Sequence, residues 1–272
     1  MSEASKDAPR VTVTIEGDIA QVRLNRPEKH NGVDLAMLKG LKAAVKQLRG
    51  NRDIRAVILQ GEGPSFCAGI DVKAMFAGGA FSSIGAFLPL FKPWANRYQN
   101  WGIQWRRLPV PVIAVIHGNC FGAGIQLALG ADIRIAHPEA KLSVMEAKWG
   151  LIPDMSGMLT LRDHVPRDVA FELTATGRVL SAADAKALGL VTHVEADPLA
   201  AAHKLAAEIA TRSPDATAAA KHLFHAAWTA SDWRVLLAER YWQFRCFISR
   251  NQRIASARNM GQPELAYKPR SI

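Results

Sequence analysis

Two short apolar segments, each ending at a glycine, set the strongest limit on how this chain can fold. The segment AVILQG spans residues 56–61, and VPVIAVIHG spans residues 110–118. Apolar runs of this length, bounded by turn residues, are typical of strands covered on both faces of a sheet. The second is followed by GIQLALGA, whose pattern predicts a helix. Strands buried on both faces need helices to cover them, and so the sequence predicts a mixed α/β layer fold.

The first fifty residues predict a hairpin and a helix. Two segments that alternate apolar with polar residues, 11–17 and 19–25, are joined at a Gly-Asp pair that is typical of a hairpin turn. Apolar residues at 3-4-3 spacing predict a helix from Asp34 to about Gly50. Two further predicted strands, DIRIAH and KLSVME, come later in the chain. Strands and helices therefore alternate through this part of the sequence.

The character of the chain changes near residue 196, after which it is predicted to be helical and rich in alanine and aromatic residues. The pairs at 197–198 and 213–214 have the pattern of a capping residue before a first-turn proline. The helix predicted to start at Ser231 carries more apolar surface than a solvated helix needs, and we expect it to pack on the core or on another subunit. We divide the chain into a core, 1–195, and a helical region, 196–272.

Composition excludes several classes of protein. The chain has 272 residues, of which 49 % are hydrophobic, enough for one large core or a core with a smaller appendage. No apolar run reaches the ~18 residues needed to span a bilayer, and the leader MSEASKDAPR lacks the apolar segment of a signal peptide. Three cysteines and eight histidines show neither a disulfide framework nor metal-ligand spacing. We therefore expect a cytoplasmic protein with reduced cysteines, no metal and no membrane contact.

The chain is basic, with 34 basic residues against 24 acidic ones and a formal net charge of +10. The basic residues are spread out, without the long Lys/Arg tract or stacking platform of nucleic-acid-binding proteins. We therefore expect no nucleic-acid partner. A phosphorylated small molecule is the favoured anionic ligand, and a soluble surface that is basic without a specific partner is the alternative.

Two glycine-containing turns, each between a strand and a helix, carry the first sign of chemistry. GEGPSFCAGIDV covers residues 61–72, and GNCFGAGIQLALG covers residues 118–130. A turn that enters a helix exposes N–H groups at the positive end of the helix dipole, and small residues let a ligand approach the backbone. Two such turns can direct two N–H groups at one oxygen, as in an oxyanion hole. Each turn taken alone is also typical of a tight strand-to-helix connection.

Six aromatic residues recur at 4-3-4-3-4 spacing and would form one face of a helix. They are Phe87, Phe91, Trp94, Tyr98, Trp101 and Trp105. Two prolines, Pro89 and Pro93, place the regular part of this helix after about residue 93. Core packing is the main interpretation of the face, and an apolar wall over an acyl chain is the functional alternative.

Five motifs occur in a fixed order along the chain. They are LNRPEKHN (24–31), FCAGID (66–71), CFGAGIQLALGADIRIA (120–136), VMEAKWGLIPDMSG (144–157) and TGRVLSAADAKALGLV (176–191). In this order and spacing they resemble the crotonase family of enoyl-CoA hydratases and isomerases over essentially the whole chain. The resemblance implies a spiral of ββα units followed by a C-terminal helical region that builds trimers, commonly paired into hexamers.

The resemblance also implies a coenzyme A thioester as substrate, with no permanently bound cofactor. The polyphosphate of coenzyme A would account for part of the positive charge. The family's substrate-contacting positions fall on Lys29, His30, Gly32, Ala68, Gly69, Ile70, Asp71, Phe121, Gly122, Gln126 and Pro153. A basic residue near the C-terminus often reaches the phosphates, sometimes from a neighbouring subunit, and Lys268 beside Tyr267 is the candidate here.

The family's oxyanion hole consists of two backbone N–H donors, one in each glycine turn. By the resemblance these fall on Ala68 and Ala123. Ala123 is the middle residue of GAG, where glycine is usual. An alanine keeps its N–H, and so the role survives if its backbone conformation is allowed.

The resemblance favours isomerisation over hydration. Hydratases of the family hold a water between two glutamates; one falls on Glu146, but the other falls on Gln126, whose amide cannot take up or deliver a proton. Dienoyl-CoA isomerases carry an acid eight positions after the matching glutamate, where Asp154 stands. Glu146 and Asp154 would then act as acid and base on opposite sides of the acyl chain. Those isomerases also carry an acid at position 126, which this chain lacks.

The neighbours of the two acids are apolar. Trp149, Leu151, Ile152 and Met155 lie next to them in the sequence. We expect them to raise the pKa of both carboxyl groups by desolvation, while the dipole of the following helix lowers the pKa of Asp154. Glu146 is therefore the group expected to hold a proton at pH 7.

Other interpretations stay open. Asp154 could serve only as the N-cap of the next helix, and Glu146 only as a surface acid at a strand end. Gln126 could bind a polar acyl substituent or a water, which would keep weak hydration open. The oxyanion hole would also serve acyl-CoA hydrolysis, dehalogenation or ring cleavage. A weakly catalytic CoA-binding or RNA-binding member of the family would need no carboxylate pair.

Overall fold

The computed structural model describes residues 8–76, 88–91 and 93–272. In these parts of the chain, strands form a six-stranded sheet of order β1-β2-β3-β4-β6-β9 and a three-stranded sheet of order β5-β7-β8. The strands are β1 Val11–Glu16, β2 Ile19–Leu24, β3 Ala56–Gly61, β4 Val112–Ile116, β5 Asn119–Phe121, β6 Ile133–Ala136, β7 Lys141–Ser143, β8 Leu180–Ser181 and β9 His193–Val194. Strands β2, β3, β4, β6 and β9 are parallel, and β1 is antiparallel to β2.

The helices follow the strands along the chain and cover the sheets. They are α1 Leu35–Gly50, α2 Val72–Phe76, α3 Asn100–Arg106, α4 Ala123–Ala128, α5 Gly157–Leu161, α6 Arg167–Thr176, α7 Ala182–Ala187, α8 Pro198–Ala210, α9 Pro214–Ala227, α10 Asp232–Phe247 and α11 Arg250–Asn259. Short 3-10 turns occupy Pro27–Lys29, Leu88–Phe91 and Glu146–Trp149. None of the helices among the described residues is long and apolar enough to cross a bilayer.

The first hairpin and helix form as the sequence predicts. Gly17 turns the chain between β1 and β2 with a φ of 62°, a conformation that glycine adopts without strain. Asp34 caps α1, because its side chain accepts a hydrogen bond of 2.7 Å from the N–H of Met37. The predicted end of α1 at Gly50 is also confirmed.

The core lies on both faces of the large sheet. Every residue of β3 and β4 is buried. One set of β3 side chains packs in the cluster that contains the apolar stripe of α1, and the alternate set, Ala56 and Ile58, packs against Ala202 and Ala206 of α8. The prediction of strands covered by helices on both faces, and thus of a mixed α/β fold, is confirmed.

The predicted aromatic face is only partly a core feature. Tyr98, Trp101 and Trp105 are buried, whereas Phe91 and Trp94 are 85 % and 83 % exposed. The prediction of one continuous face is wrong at these two positions, because α3 begins only at Asn100. Before it, the side chain of Asn96 accepts hydrogen bonds from the N–H groups of two following residues and forms a turn. Phe87 lies outside the described residues.

The C-terminal helices begin where the sequence places them. Asp197 caps α8 and Ser213 caps α9 through their side chains. Lys221 of α9 is buried, and its ammonium group donates to Asp132 Oδ2 at 2.7 Å and to two backbone carbonyls near the end of α3 and the start of β4. By contrast, α10 has no buried residue although it carries many apolar side chains. The division into a core of 1–195 and a helical region of 196–272 stays a prediction.

Candidate active site

The N–H group of Ala68 is not free. It donates a hydrogen bond of 2.9 Å to the carbonyl oxygen of His30, within a ladder that joins the loop after β2 to the first glycine turn. Val33 N–H donates to Gly69 O in the same ladder. The prediction that Ala68 supplies a donor to a ligand is therefore wrong, because that hydrogen is already shared inside the protein.

Two other N–H groups are free where the glycine turns meet. In the described parts of the chain, neither the N–H of Ile70 nor that of Ala123 has a protein acceptor. Ala123 is the first residue of α4, and a helix leaves its first N–H groups unpaired. The turns touch at Gly69, whose φ is 99° and where a Cβ would lie 3.8 Å from Ala123 N. Two free N–H groups on adjoining turns can bind a single oxygen.

A hydrogen bond and close backbone packing hold the second glycine turn in place. The indole N–H of Trp101 donates to Ala123 O at 2.8 Å. A Cβ at Gly124 would lie 2.3 Å from Cys67 O, far inside contact distance, and so the two turns pack backbone against backbone. A Cβ at Gly102 on α3 would lie 2.8 Å from Gln126 O, and so α3 and α4 approach each other in the same way. The positions of these N–H groups therefore follow from close main-chain packing.

Glu146 and Gln126 form a hydrogen-bonded pair beside this turn. Gln126, buried on α4, donates from Nε2 to Glu146 Oε1 at 2.5 Å. Its own Oε1 accepts from the N–H groups of Met155 and Gly157 at 2.8 and 2.9 Å. Glu146 Oε1 also lies close to Gly122, where a Cβ would be 3.3 Å away. These contacts bring together four sequence-predicted positions: Gly122, Gln126, Glu146 and the turn that carries Asp154.

The second carboxylate oxygen of Glu146 is buried and has no hydrogen-bond partner within the described residues. Burial raises the pKa of Glu146, the hydrogen bonds to it oppose that shift, and the charge of Asp154 adds to it. Glu146 is thus not a surface acid. A buried carboxyl with one unsatisfied oxygen is suited to hold a proton and deliver it to a bound molecule.

Asp154 lies in the turn before α5 and does not cap it. Helix α5 begins at Gly157, and Ser156 occupies the N-cap position. Partial burial raises the pKa of Asp154, as predicted, and a hydrogen bond from its own backbone N–H opposes that shift. Asp154 as a whole residue is nevertheless exposed. The carboxyl group of Glu146 is the more deeply buried of the two.

Most of the apolar residues next to the acids in the sequence are exposed and do not cover the acids. Trp149, Leu151 and Ile152 are exposed, Ile152 to 72 %. Only Met155 of the four predicted neighbours is buried. The prediction that all four desolvate the acids is therefore wrong for three of them, since these three are exposed to solvent.

The residues predicted to hold the nucleotide and pantetheine lie in two places, the loop between β2 and α1 and the turn between β3 and α2. Lys29 and His30 are exposed in the loop, with His30 Nδ1 at 2.9 Å from Ser65 Oγ. Asp71 has a structural part: it caps α2 through the Ala74 N–H and pairs with Arg26 at 2.9 Å. The Ala74 N–H and the Arg26 guanidinium lower the pKa of Asp71. Its carboxylate is therefore already engaged inside the protein.

Tyr267 and Lys268 lie far from this site in the same chain. The ring of Tyr267 lies 5.7 Å from the guanidinium carbon of Arg55, just before β3. The first glycine turn starts at the opposite end of that strand, which spans about 20 Å at ~3.3 Å per residue. Lys268 is held there by backbone hydrogen bonds to Asn251. This chain does not bring either residue to its own site, and a contribution to a neighbouring subunit stays a prediction.

Two features of the site were not found from the sequence. Ile70 was predicted only as a contact residue, and its free N–H becomes visible only when the partner of Ala68 is known. The orientation of the Gln126 amide depends on the backbone of the turn at 155–157. In the chain as described, no group of three or more His, Cys, Asp or Glu side chains is placed to hold a metal ion.

The raised pKa of Glu146 predicts how its removal changes stability. A carboxyl whose pKa is higher in the folded state than in the unfolded state destabilises the fold as pH rises through the folded pKa, and has no effect below the unfolded pKa. Glu146→Gln should therefore raise the melting temperature at pH 8 and leave it unchanged near pH 4. Thermal melts of both proteins across this pH range measure the difference. An equal difference at both pH values would contradict the burial of a titrating carboxyl.

Comparison with known proteins gives a consistent family assignment. Residues 14–258 match the model of a family described as "Enoyl-CoA hydratase/isomerase". The chain is 34 % identical to enoyl-CoA hydratase EchA19 of Mycobacterium tuberculosis over 77 % of each chain. It is 33 % identical to the mitochondrial Delta(3,5)-Delta(2,4)-dienoyl-CoA isomerase of Rattus norvegicus, over 81 % of this chain and 69 % of that one.

Solved structures agree with this assignment. The fold is similar to the crystal structure of a putative enoyl-CoA hydratase from Thermobifida fusca in complex with acetoacetyl-CoA. The TM-score is 0.79 at 32 % identity, over 87 % of this chain and 94 % of the other. The family match over residues 14–258 spans the glycine turns and the acids described above.

Proposed function

This chain belongs to the enoyl-CoA hydratase/isomerase family, and from that premise we propose that it moves carbon–carbon double bonds along the acyl chain of a dienoyl- or enoyl-CoA. The observation that carries the proposal is the pair Glu146 and Asp154, two acids of raised pKa, beside an amide that cannot titrate. The similarity to a dienoyl-CoA isomerase supports it.

The thioester oxygen is bound by the N–H groups of Ile70 and Ala123. When a proton leaves the acyl chain, the electrons of the broken C–H bond spread onto this oxygen as a dienolate. Two N–H donors at the developing negative charge stabilise it, and one such donor contributes about 3 kcal/mol in other enzymes. Ile70 replaces Ala68 in this role, because the Ala68 N–H is committed to His30.

The two acids exchange protons with different carbons. Asp154, the less buried, is ionised and removes a proton from one carbon as a base. Glu146, protonated at Oε2, gives its proton to a carbon further along the conjugated chain. The double bonds shift, no water is added, and the acids have exchanged protonation states. A proton transfer between them, or through solvent at the exposed Asp154, restores the starting state.

The coenzyme A part of the substrate is proposed to lie along the loop that carries Lys29, His30 and Gly32 and the turn at 68–70. The exposure of Lys29, His30 and Ile70 and the positive charge of Lys29 suit a polyphosphate ligand. We also expect a homotrimer or a hexamer. The support for this is α10, an apolar helix without a buried residue.

Spectroscopy with two thioesters tests the proposed function. With 3,5-dienoyl-CoA we expect a new absorbance band at longer wavelength, because the diene becomes conjugated with the thioester. With 2-enoyl-CoA we expect little loss of the enoyl band, because Gln126 cannot complete a two-acid hydration site. Loss of the enoyl band without release of free thiol would make hydration the function, and loss of that band with release of free thiol would make it thioester hydrolysis. No change with either thioester would favour a binding role.

A further inference from the structure

The Gln126 side chain connects the two acids of the site. Its Oε1 accepts from the N–H groups of Met155 and Gly157, which follow Asp154, and its Nε2 donates to Glu146. Gln126 is 1 % exposed, and so water does not compete for these contacts. Gly157 makes the approach possible, since a Cβ there would lie 2.6 Å from Gln126 Oε1.

The orientation of this amide follows from its partners. Backbone N–H groups only donate, and so the atom that faces Met155 N and Gly157 N must be the carbonyl oxygen. A flipped amide would place two N–H groups against two more and leave three buried donors unsatisfied. The amino group is therefore directed at Glu146 by the backbone of the neighbouring turn.

The donated hydrogen bond distinguishes the two oxygens of Glu146. Oε1 receives the Gln126 amino group at 2.5 Å and must act as an acceptor. When the carboxyl is protonated, its hydrogen therefore sits on Oε2, the buried oxygen that has no other partner in the described chain. A neutral carboxyl oriented in this way has a defined donor atom before the substrate arrives.

An acid at position 126 would not do the same. A carboxylate there could still accept from both backbone N–H groups, but its other oxygen would face Glu146 Oε1. A shared proton would then bind the two oxygens together and would be withdrawn from Oε2. The amide removes this competition because it does not titrate at neutral pH and so cannot share a proton with Glu146.

We propose that Gln126 is a positioning residue that fixes the exchangeable proton of Glu146 on Oε2 and ties Glu146 to the turn that carries Asp154. The inference rests on the proposed function for its catalytic consequence, but the hydrogen-bond arrangement that it states can be tested without any substrate. With an amide at position 126, protons are exchanged only with Glu146 and Asp154, and residue 126 does not act as a third acid.

The substrate-free test compares three variants by thermal melts at pH 4 and pH 8. Gln126→Glu should lose stability relative to the wild type as pH rises, because two carboxyl groups face each other and deprotonation becomes costly. The exchanged variant Gln126→Glu with Glu146→Gln again pairs one amide with one carboxyl. At pH 8 it should melt several degrees higher than the sum of the two single changes predicts. If the changes are additive, the two side chains do not form the proposed pair and the inference is wrong.

The catalytic test uses the dienoyl-CoA assay over a range of pH. Gln126→Glu should lower kcat at pH 7.5 by about tenfold or more and recover toward pH 5, where the protonated carboxyl donates as the amide does. A merely structural role would lower kcat equally at every pH, and that result would overturn the inference. If the wild type turns over neither thioester, the proposed function fails, and the melts still decide whether Gln126 and Glu146 are paired.

Discussion

Glu146→Gln is expected to lower kcat for dienoyl-CoA isomerisation by about 10²- to 10⁴-fold, the range found when a general acid or base is removed. Glutamine has the same shape, and its oxygen can still accept the hydrogen bond from Gln126 Nε2. It has no proton to deliver from the position of Oε2. The expected result is a loss of kcat with little change in the affinity for the thioester, measured by the dienoyl band and by calorimetric titration with a saturated acyl-CoA.

Glu139→Gln is the matched control. This glutamate is exposed on the turn between β6 and β7, seven residues earlier in the chain, and should keep full activity. A Glu146→Gln variant within about threefold of the wild type would show that Glu146 does not transfer the proton, whatever its pKa.

Asp154→Asn should reduce kcat to a similar extent, about 10²- to 10⁴-fold, but at a different step. In the proposed sequence Asp154 removes the first proton and Glu146 returns one later. In heavy water, Glu146→Gln should therefore still exchange the hydrogen that Asp154 removes, whereas Asp154→Asn should exchange none. Mass spectrometry of recovered substrate measures the exchange.

Asp168→Asn is the control for this substitution, because Asp168 is an exposed first-turn acid of α6. Full isomerase activity in Asp154→Asn would exclude the acid pair. Exchange retained in Asp154→Asn and lost in Glu146→Gln would keep the pair but reverse the two roles.

Local patterns predicted the scaffold well. The alternating segments on either side of Gly17, the cap at Asp34 and the buried run at 56–61 each depend on residues close together in the sequence. Helix caps and strand burial are decided by such short-range chemistry. The five motifs are also made of residues close together in the sequence, and so their order predicted the family.

The details of the site depended on partners distant in the sequence. The motif could show that the turn at 66–71 carries N–H groups, but the carbonyl that takes the Ala68 hydrogen comes from His30, 38 residues earlier. The orientation of the Gln126 amide is likewise set by the turn at 155–157. Tertiary hydrogen bonds of this kind leave no periodic signal.

The sequence also did not predict which apolar side chains are exposed to solvent. Trp149, Leu151 and Ile152 are apolar and adjacent to Glu146, and yet they are exposed. Phe91 and Trp94 likewise continue the spacing of the buried aromatic residues but lie outside the core. Apolar character predicts a tendency to be buried, whereas the local backbone decides which side of a turn faces the interior.

The contacts at Gly102 and Gly124, where main chain meets main chain, limit how this enzyme can evolve. Any side chain at either position would collide with a backbone oxygen that cannot move aside. A substitution at either glycine would therefore displace the main chain that carries the Ala123 N–H. Changes are tolerated more easily at Trp149, Leu151 and Ile152, which are exposed. Sequence variation should thus accumulate at those three positions while the two glycines stay constant.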